Sequence, residues 1–304
     1  MGTNTFHLLI VELPEERHAE PLVLLRTKVG VRLGQGGISK GEITPEAFAR
    51  ALHTMDAFQE EIELHQVTEV RATATSAMRV ARNGSELVQS IFEQTGIRVE
   101  VIPGEREAEL ITKGVRRAVP LGNERNLIVD IGGGSVEFII ADEATIFWKQ
   151  SFEIGAQRLL DKFFPDASGV MPATAVAAEQ AHLSVVLAPL VAAIEGYQPV
   201  GIVGASGSFD SLADMQIGQL RNEADLPPCT ELAMSSFQDS YRQLLTRNHE
   251  QRKAIPGILP MRADMLVVAS VLFDFVLGVS GITRIRTSAY ALKEGLLAEM
   301  MEQD

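Results

Sequence analysis

Only one of the 304 residues is cysteine (Cys229), one is tryptophan and three are tyrosine. A single thiol excludes an intrachain disulfide framework and fits a reducing compartment, so a cytoplasmic location is expected. No apolar run reaches the roughly 20 residues of a membrane span, and the start has no basic segment of a secretory signal, so no membrane association is expected. Basic residues are also scarce, with 27 Lys and Arg against 40 Asp and Glu and a net charge of −13. That balance argues against a nucleic-acid partner and requires any phosphate site to be locally basic. The six histidines, His7, His18, His53, His65, His182 and His249, show no metal-ligand spacing, and His7 reads as a partly buried strand residue. Cys229 has no partnered histidine and reads as inert, while Trp148 and the ten methionines read as packing. The rest is globular composition, 46% hydrophobic and 22% charged, at a length suited to two domains.

Glycine is concentrated where it carries information. Asp130-Ile131-Gly132-Gly133-Gly134-Ser135-Val136-Glu137 joins an apolar strand (126–129) to a second (138–140) through three glycines. Such a loop lets backbone N–H groups approach an anion closely. Asp130 and Glu137 flank it as acids that suit a metal ion or a water. Residues 1–10 repeat the pattern: Met1-Gly2-Thr3-Asn4-Thr5-Phe6 aligns with Ile131 to Val136, glycine on glycine and hydroxyl on hydroxyl. Two phosphate hairpins imply a duplicated domain with a nucleotide or polyphosphate cleft between the copies.

Strands are expected at 6–13 and 21–29, joined by a polar turn over 14–20, followed by a loop at 34–41. Thr44 caps a helix with Pro45 at its first position and an apolar stripe of Phe48, Leu52, Met55 and Ile62. Further elements follow: strand 67–73, helix 85–94, strand 98–102 and helix 105–117, with a linker at 120–124. The second half restarts with the hairpin and a strand at 145–152. Helices at 157–164 and 174–195 lead to a strand at 200–203 and a Gly-Ser turn. A polar helical stretch (221–250) breaks at Pro227-Pro228, and an apolar helix (261–277), a strand (284–287) and a helix (289–300) finish the chain. This order predicts an α/β protein of duplicated actin-like ATPase (ribonuclease H-like) domains, domain I over 1–119 and domain II over 120–304, with an interdomain cleft.

Four other segments carry candidate chemistry. Glu107, in Gly104-Glu105-Arg106-Glu107, follows a strand and points at the cleft as a general base for water. Its neighbours Glu105 and Glu109 are equally well explained by the helix dipole. Arg79, after Thr75-Ser76, suits a phosphate clamp. Gly155-Ala156-Gln157-Arg158 enters a helix N-terminus, another anion-friendly end, with Arg158 as contact. Gly204-Ala205-Ser206-Gly207-Ser208 forms a third anion-type loop, in which Gly204, Ser206 and Gly207 are the candidates.

Together these segments resemble the exopolyphosphatase / guanosine pentaphosphate phosphohydrolase (Ppx/GppA) family. Gly2 to Leu8 looks like its first phosphate loop and Asp130 to Glu137 like its second. Ala74 to Arg79, Gly104 to Ala108, Gly155 to Arg158, Arg262-Ala263-Asp264 and Ser288 to Gly295 fall in the family's order. The resemblance implies hydrolysis of terminal phosphate from inorganic polyphosphate, or of the 5′ γ-phosphate of guanosine pentaphosphate, with Mg²⁺ or Mn²⁺. It implies Glu107 as the carboxylate that activates water and Asp130 and Glu137 as metal-organising acids. The phosphate-binding set is Gly2, Thr3, Asn4, Thr5, Arg79, Gly132, Gly133, Gly134, Ser135, Arg158, Gly204, Ser206 and Gly207. A homodimer and the short form, without helical C-terminal domains, are also implied.

Two departures stand out. The family hairpin starts with an Asp two residues before the first glycine, and the internal alignment puts its counterpart just upstream of Met1. The first strand of domain I is missing with it, as a start assigned at an internal methionine or a genuine loss of activity would both produce. Arg106 stands where many relatives carry an acid, an expected change in metal binding or an added phosphate contact. The competing readings are a non-catalytic phosphate or alarmone sensor and an actin-like ATP-dependent kinase.

Overall fold

The computed structural model describes residues 1–14, 20–222 and 226–303. The turn expected over 14–20 lies mostly outside them. The first half runs β1 (Phe6–Glu12), β2 (Leu22–Val29), α1 (Pro45–Leu64), β3 (Ala72–Ala74), α2 (Ser76–Val80), α3 (Gly84–Thr95), β4 (Val99–Val101) and α4 (Gly104–Ala118). The second runs β5 (Asn126–Ile131), β6 (Val136–Ala141), β7 (Ile146–Phe152), α5 (Ala156–Phe163), α6 (Ala173–Val186), α7 (Ala188–Tyr197), β8 (Gly201–Ala205) and α8 (Ser206–Ile217). It ends with β9 (Cys229–Glu231), α9 (Met234–Thr246), α10 (His249–Lys253), α11 (Met265–Ser280), β10 (Ile285–Ser288) and α12 (Leu292–Gln303). None of these helices is by itself long and apolar enough to cross a membrane.

The second half holds one six-stranded sheet in the order β7-β6-β5-β8-β10-β9. β5, β6 and β7 pair antiparallel, β5, β8 and β10 parallel, and β9 adds an antiparallel edge. Every residue of β5 and β6 is buried, because helices cover both faces, which is why these strands read as continuous apolar runs. Ile128 and Ile139, fully buried, each contribute roughly 1.5–3 kcal/mol by that burial. This is the actin-like α/β order anticipated from the sequence.

The duplication extends to fine geometry. Gly2 N–H donates to the Thr5 carbonyl at 3.0 Å, and Gly132 N–H to the Ser135 carbonyl at 3.1 Å, the same bond in both hairpin loops. The β1–β2 ladder slips register between Ile10 and Val11, and the β6–β7 ladder between Ile140 and Ala141. Those are aligned positions. The halves differ in one respect: β1–β2 and β3–β4 form two separate two-stranded sheets in the first half, with no counterpart of β5 between them among the described residues.

Several elements depart from the sequence expectation. Thr44 caps α1 as expected, its hydroxyl accepting from Ala47 N–H at 3.3 Å, but Phe48 and Leu52 lie at the margin of the buried stripe. The 67–73 strand shrinks to Ala72–Ala74, and the single helix over 174–195 is broken at Leu187 into α6 and α7. The 221–250 stretch contains β9 as well as helix, because Thr230 and its neighbours complete the sheet edge beside β10. Packing also assigns α4 differently from the boundary at 119/120. Ala108, Ile111 and Val115 join a core with Ile128, Ile139 and Val203, so the hydrophobic cores divide near residue 103. α4 then docks on α12 backbone to backbone: a Cβ on Gly114 would strike the Ala291 carbonyl, and one on Gly295 that of Leu110.

Candidate active site

The two glycine hairpins face each other across the line between the halves. A Cβ on Gly133 would strike the Asn4 amide, and one on Gly134 the hydroxyls of Thr3 and Ser76. Only glycine lets the loops approach so closely. A cavity of about 910 Å³ opens there, lined by Gly2, Thr3, Asn4 and Thr5 from one half and by Gly132, Gly133, Gly134, Ser135, Ser206 and Gly207 from the other. Glu107, Asp130 and Glu137 share that lining.

These three acids govern the electrostatics. Asp130 and Glu137 are direct cross-strand partners in the β5–β6 ladder, so their carboxylates lie on one face. Both are buried, as is Glu107 in the first turn of α4. Burial raises the Asp130 carboxyl to about 7, opposed by the Ser206 hydroxyl, which donates to its Oδ2 at 2.6 Å. Glu137 is pushed well above the carboxylate range by burial and by repulsion from Glu107 and Asp130, although the Ser151 hydroxyl donates to its Oε1 at 2.6 Å. Glu107 is raised by burial, against the pull of Arg79, whose Nη1 donates to its Oε2 at 3.0 Å. Three repelling buried acids are what an arriving cation would relieve.

No group of three or more His, Cys, Asp or Glu side chains among the described residues forms a protein-only metal cage. A divalent ion such as Mg²⁺ does not need one, since it commonly takes one or two carboxylates plus water and substrate oxygens. The hard oxygens of Asp130 and Glu137 fit that requirement, each with one oxygen already positioned by a serine.

Ser206 pays for its place at the end of β8 with a φ of 67°, a left-handed conformation uncommon for a residue with a side chain. Arg262 supports the neighbouring turn by donating from Nη1 to the Gly207 carbonyl at 2.7 Å. The opposite wall answers the puzzle of an acidic chain with an anion site. Burial lowers His7 to about 3, helped by the charges of Lys293, the Met1 amino group, Lys28 and Arg262, so it stays neutral on a wall where Asp210 also faces those cations. His7 is exposed and lines the cavity, where the sequence suggested a partly buried strand position.

Other expected residues lie elsewhere. Gly204 sits inside β8, its missing Cβ making room for the Phe209 ring, so it serves packing and does not line the cavity. The α5 N-terminus is not open to an anion: Gly155, Ala156 and Gln157 N–H groups donate to the Gly134, Gly132 and Gly133 carbonyls at 2.9–3.0 Å. Arg158 Nε adds a bond to Gly134 O at 2.9 Å. Arg106, expected to affect metal or phosphate, instead pairs with Glu109 and with Glu299 of α12. Cys229 is half-buried with its thiol raised by burial, in keeping with low reactivity.

Glu153 is a hub of polar contacts that sequence reasoning passed over. It accepts from the Ser76 hydroxyl at 2.5 Å, from Arg79 Nη2 at 2.9 Å and from Arg158 Nη2 at 3.2 Å. It thereby joins both expected phosphate-binding arginines across the two halves. Its signal was the one used for Glu107, an acid just past the carboxyl end of a strand at the cleft.

The Ppx/GppA phosphatase family model matches residues 12–304. A guanosine-5'-triphosphate,3'-diphosphate pyrophosphatase of Photobacterium profundum is 28% identical over 306 residues, covering all of this chain and 58% of that protein. The chain thus spans little more than half the length of that curated relative. Among solved structures, an exopolyphosphatase from Cytophaga hutchinsonii is 43% identical, with 100% of this chain and 96% of that one covered and a TM-score of 0.93. The Aquifex aeolicus Ppx/GppA family member, 20% identical over 100% of this chain and 96% of the other, has a TM-score of 0.81 and bears on the fold alone.

Proposed function

Since this chain belongs to the Ppx/GppA phosphatase family, we propose that it hydrolyses the terminal phosphoanhydride of inorganic polyphosphate, or the 5′ γ-phosphate of guanosine pentaphosphate. The observation that carries this reading is the convergence of Glu107, Asp130 and Glu137 on a cavity walled by two facing glycine hairpins.

Phosphoryl transfer needs positioning and charge neutralisation more than covalent chemistry. The Gly2–Thr5 and Gly132–Ser135 loops receive the terminal phosphate. Glu107, whose proton affinity burial raises, accepts in its ionised form the proton of the attacking water, and Arg79 keeps it oriented to do so. Asp130 and Glu137 would hold Mg²⁺ or Mn²⁺, which when bound offsets the charge on the transferring group. The wall that carries Lys28, Arg262 and Lys293 receives the remaining anionic chain.

The test is hydrolysis of short-chain polyphosphate in ¹⁸O-labelled water with Mg²⁺. One labelled oxygen in each released phosphate, with no acceptor required, is the expected outcome. Release that depends on ATP and an added acceptor would make the chain a kinase, and ligand binding without turnover would make it a sensor.

A further inference from the structure

Arg252 is fully buried and lies outside the cavity. A guanidinium persists in a core only where carbonyls and an anion meet it. Nη1 donates to the Gly169 carbonyl at 2.9 Å and to that of Arg247 at 2.6 Å. Nη2 donates to the Ala167 carbonyl and to Asp264 Oδ1, the latter at 2.7 Å. His249 Nδ1 lies 2.9 Å from Asp264 Oδ2 and closes the other side of that carboxylate. α10 carries both His249 and Arg252, and reciprocal bonds between Asn248 and Gln251 fix its start.

Two chain segments lead from this brace to the cavity. Residues 164–169 follow α5, whose first amides hold the carbonyls of the Gly132–Gly134 hairpin, and the Arg252 guanidinium lies 5.3 Å from the Phe164 ring centroid. Asp264 itself stands between Arg262 and Met265. Arg262 holds the Gly207 carbonyl, and a Cβ on Gly207 would strike its guanidinium, so the two fit closely. The Met265 sulfur accepts from Asn4 Nδ2 at 2.9 Å. The first hairpin, the second hairpin and the Ser206 turn therefore each connect to the Arg252–Asp264 pair, and Ser206 in turn holds Asp130.

We infer that Asp264, Arg252 and His249 are positioning residues, a buried brace that sets the three anion loops of the cavity in register with one another. The inference rests on the proposed reading of the cavity as a phosphate site. None of the three side chains lines the cavity, so each acts through Arg262, Met265 or α5 and touches no ligand. Donors aimed at a phosphate are effective only when held in place beforehand, and the brace supplies that from a rigid, water-free anchor.

The test measures amide exchange at positions 2–5, 132–135 and 206–208, and affinity for imidodiphosphate, a pyrophosphate analogue with a P–N–P bridge. It compares the parent with Asp264→Asn, His249→Ala and Ile91→Ala. Ile91 is fully buried in the core of the first half, and its truncation supplies a loss of stability alone. Asp264→Asn is expected to speed exchange in all three loops and to weaken affinity by roughly 3- to 30-fold, with a smaller effect in the same direction from His249→Ala. Ile91→Ala should lower the melting temperature and leave both readouts where they were. Loops and affinity unmoved in the two brace variants, or moved as far by Ile91→Ala, overturn the inference. If Asp264→Asn does not fold, His249→Ala decides it by the same readouts. Neither readout requires turnover, so a chain that shows these shifts and hydrolyses nothing overturns the proposed function alone.

Discussion

Burial, with repulsion from Glu107 and Asp210, favours the neutral form of Asp130, and the Ser206 hydroxyl favours its charged form. Ser206→Ala removes only the hydroxyl donor. The Asp130 carboxyl therefore rises further, and a reaction that needs it ionised loses its activity at a higher pH on the acid side. The expected result is an upward shift of the acidic limb of the kcat/KM profile, with the alkaline limb unmoved. An unmoved acidic limb would separate Asp130 from the titration. The same residue scale explains what was legible. Gly133, Gly134, Thr3 and Glu107 were readable because glycine spacing and an acid after a strand are local signals. Glu153 carries the same local signal at the end of β7, but its partner Ser76, 77 positions away in the chain, is set only by the fold.

At the scale of elements, the position of Glu107 depends on a helix pair. α4 carries it, and α4 touches α12 through Gly114 and Gly295, where any side chain meets backbone. Gly114→Val must push the helices apart, at a cost of about 1–3 kcal/mol for an overpacked site. It should lower the urea midpoint with m unchanged and reduce activity, because Glu107 moves with α4. A midpoint equal to that of the parent would show that α12 does not hold α4 in place. Element positions were largely readable from periodicity and caps, as Thr44 and the β5–β6 run illustrate. Lengths were less so. β3 shrank and α6–α7 split because sheet pairing and packing set those ends, and neither is a local property. The closed α5 N-terminus is a tertiary fact too: its amides are taken by carbonyls of a hairpin 21 to 24 residues earlier.

For the whole molecule, the duplication was visible in ten aligned residues, and matching loop bonds and register slips bear it out. The division of cores near 103 was not visible, because α4 leaves the half that encodes it to cover the other sheet. That crossing places one carboxylate, Glu107, against two from the second half, and the account of function rests on this meeting. It is tested most directly by steady-state phosphate release from short-chain polyphosphate in Mg²⁺ by the parent chain and by Glu107→Gln, with folding matched by circular dichroism. The account predicts release by the parent and a loss of roughly 10²- to 10⁴-fold in the variant, the range for removal of a general base. Equal rates in the two proteins would contradict it.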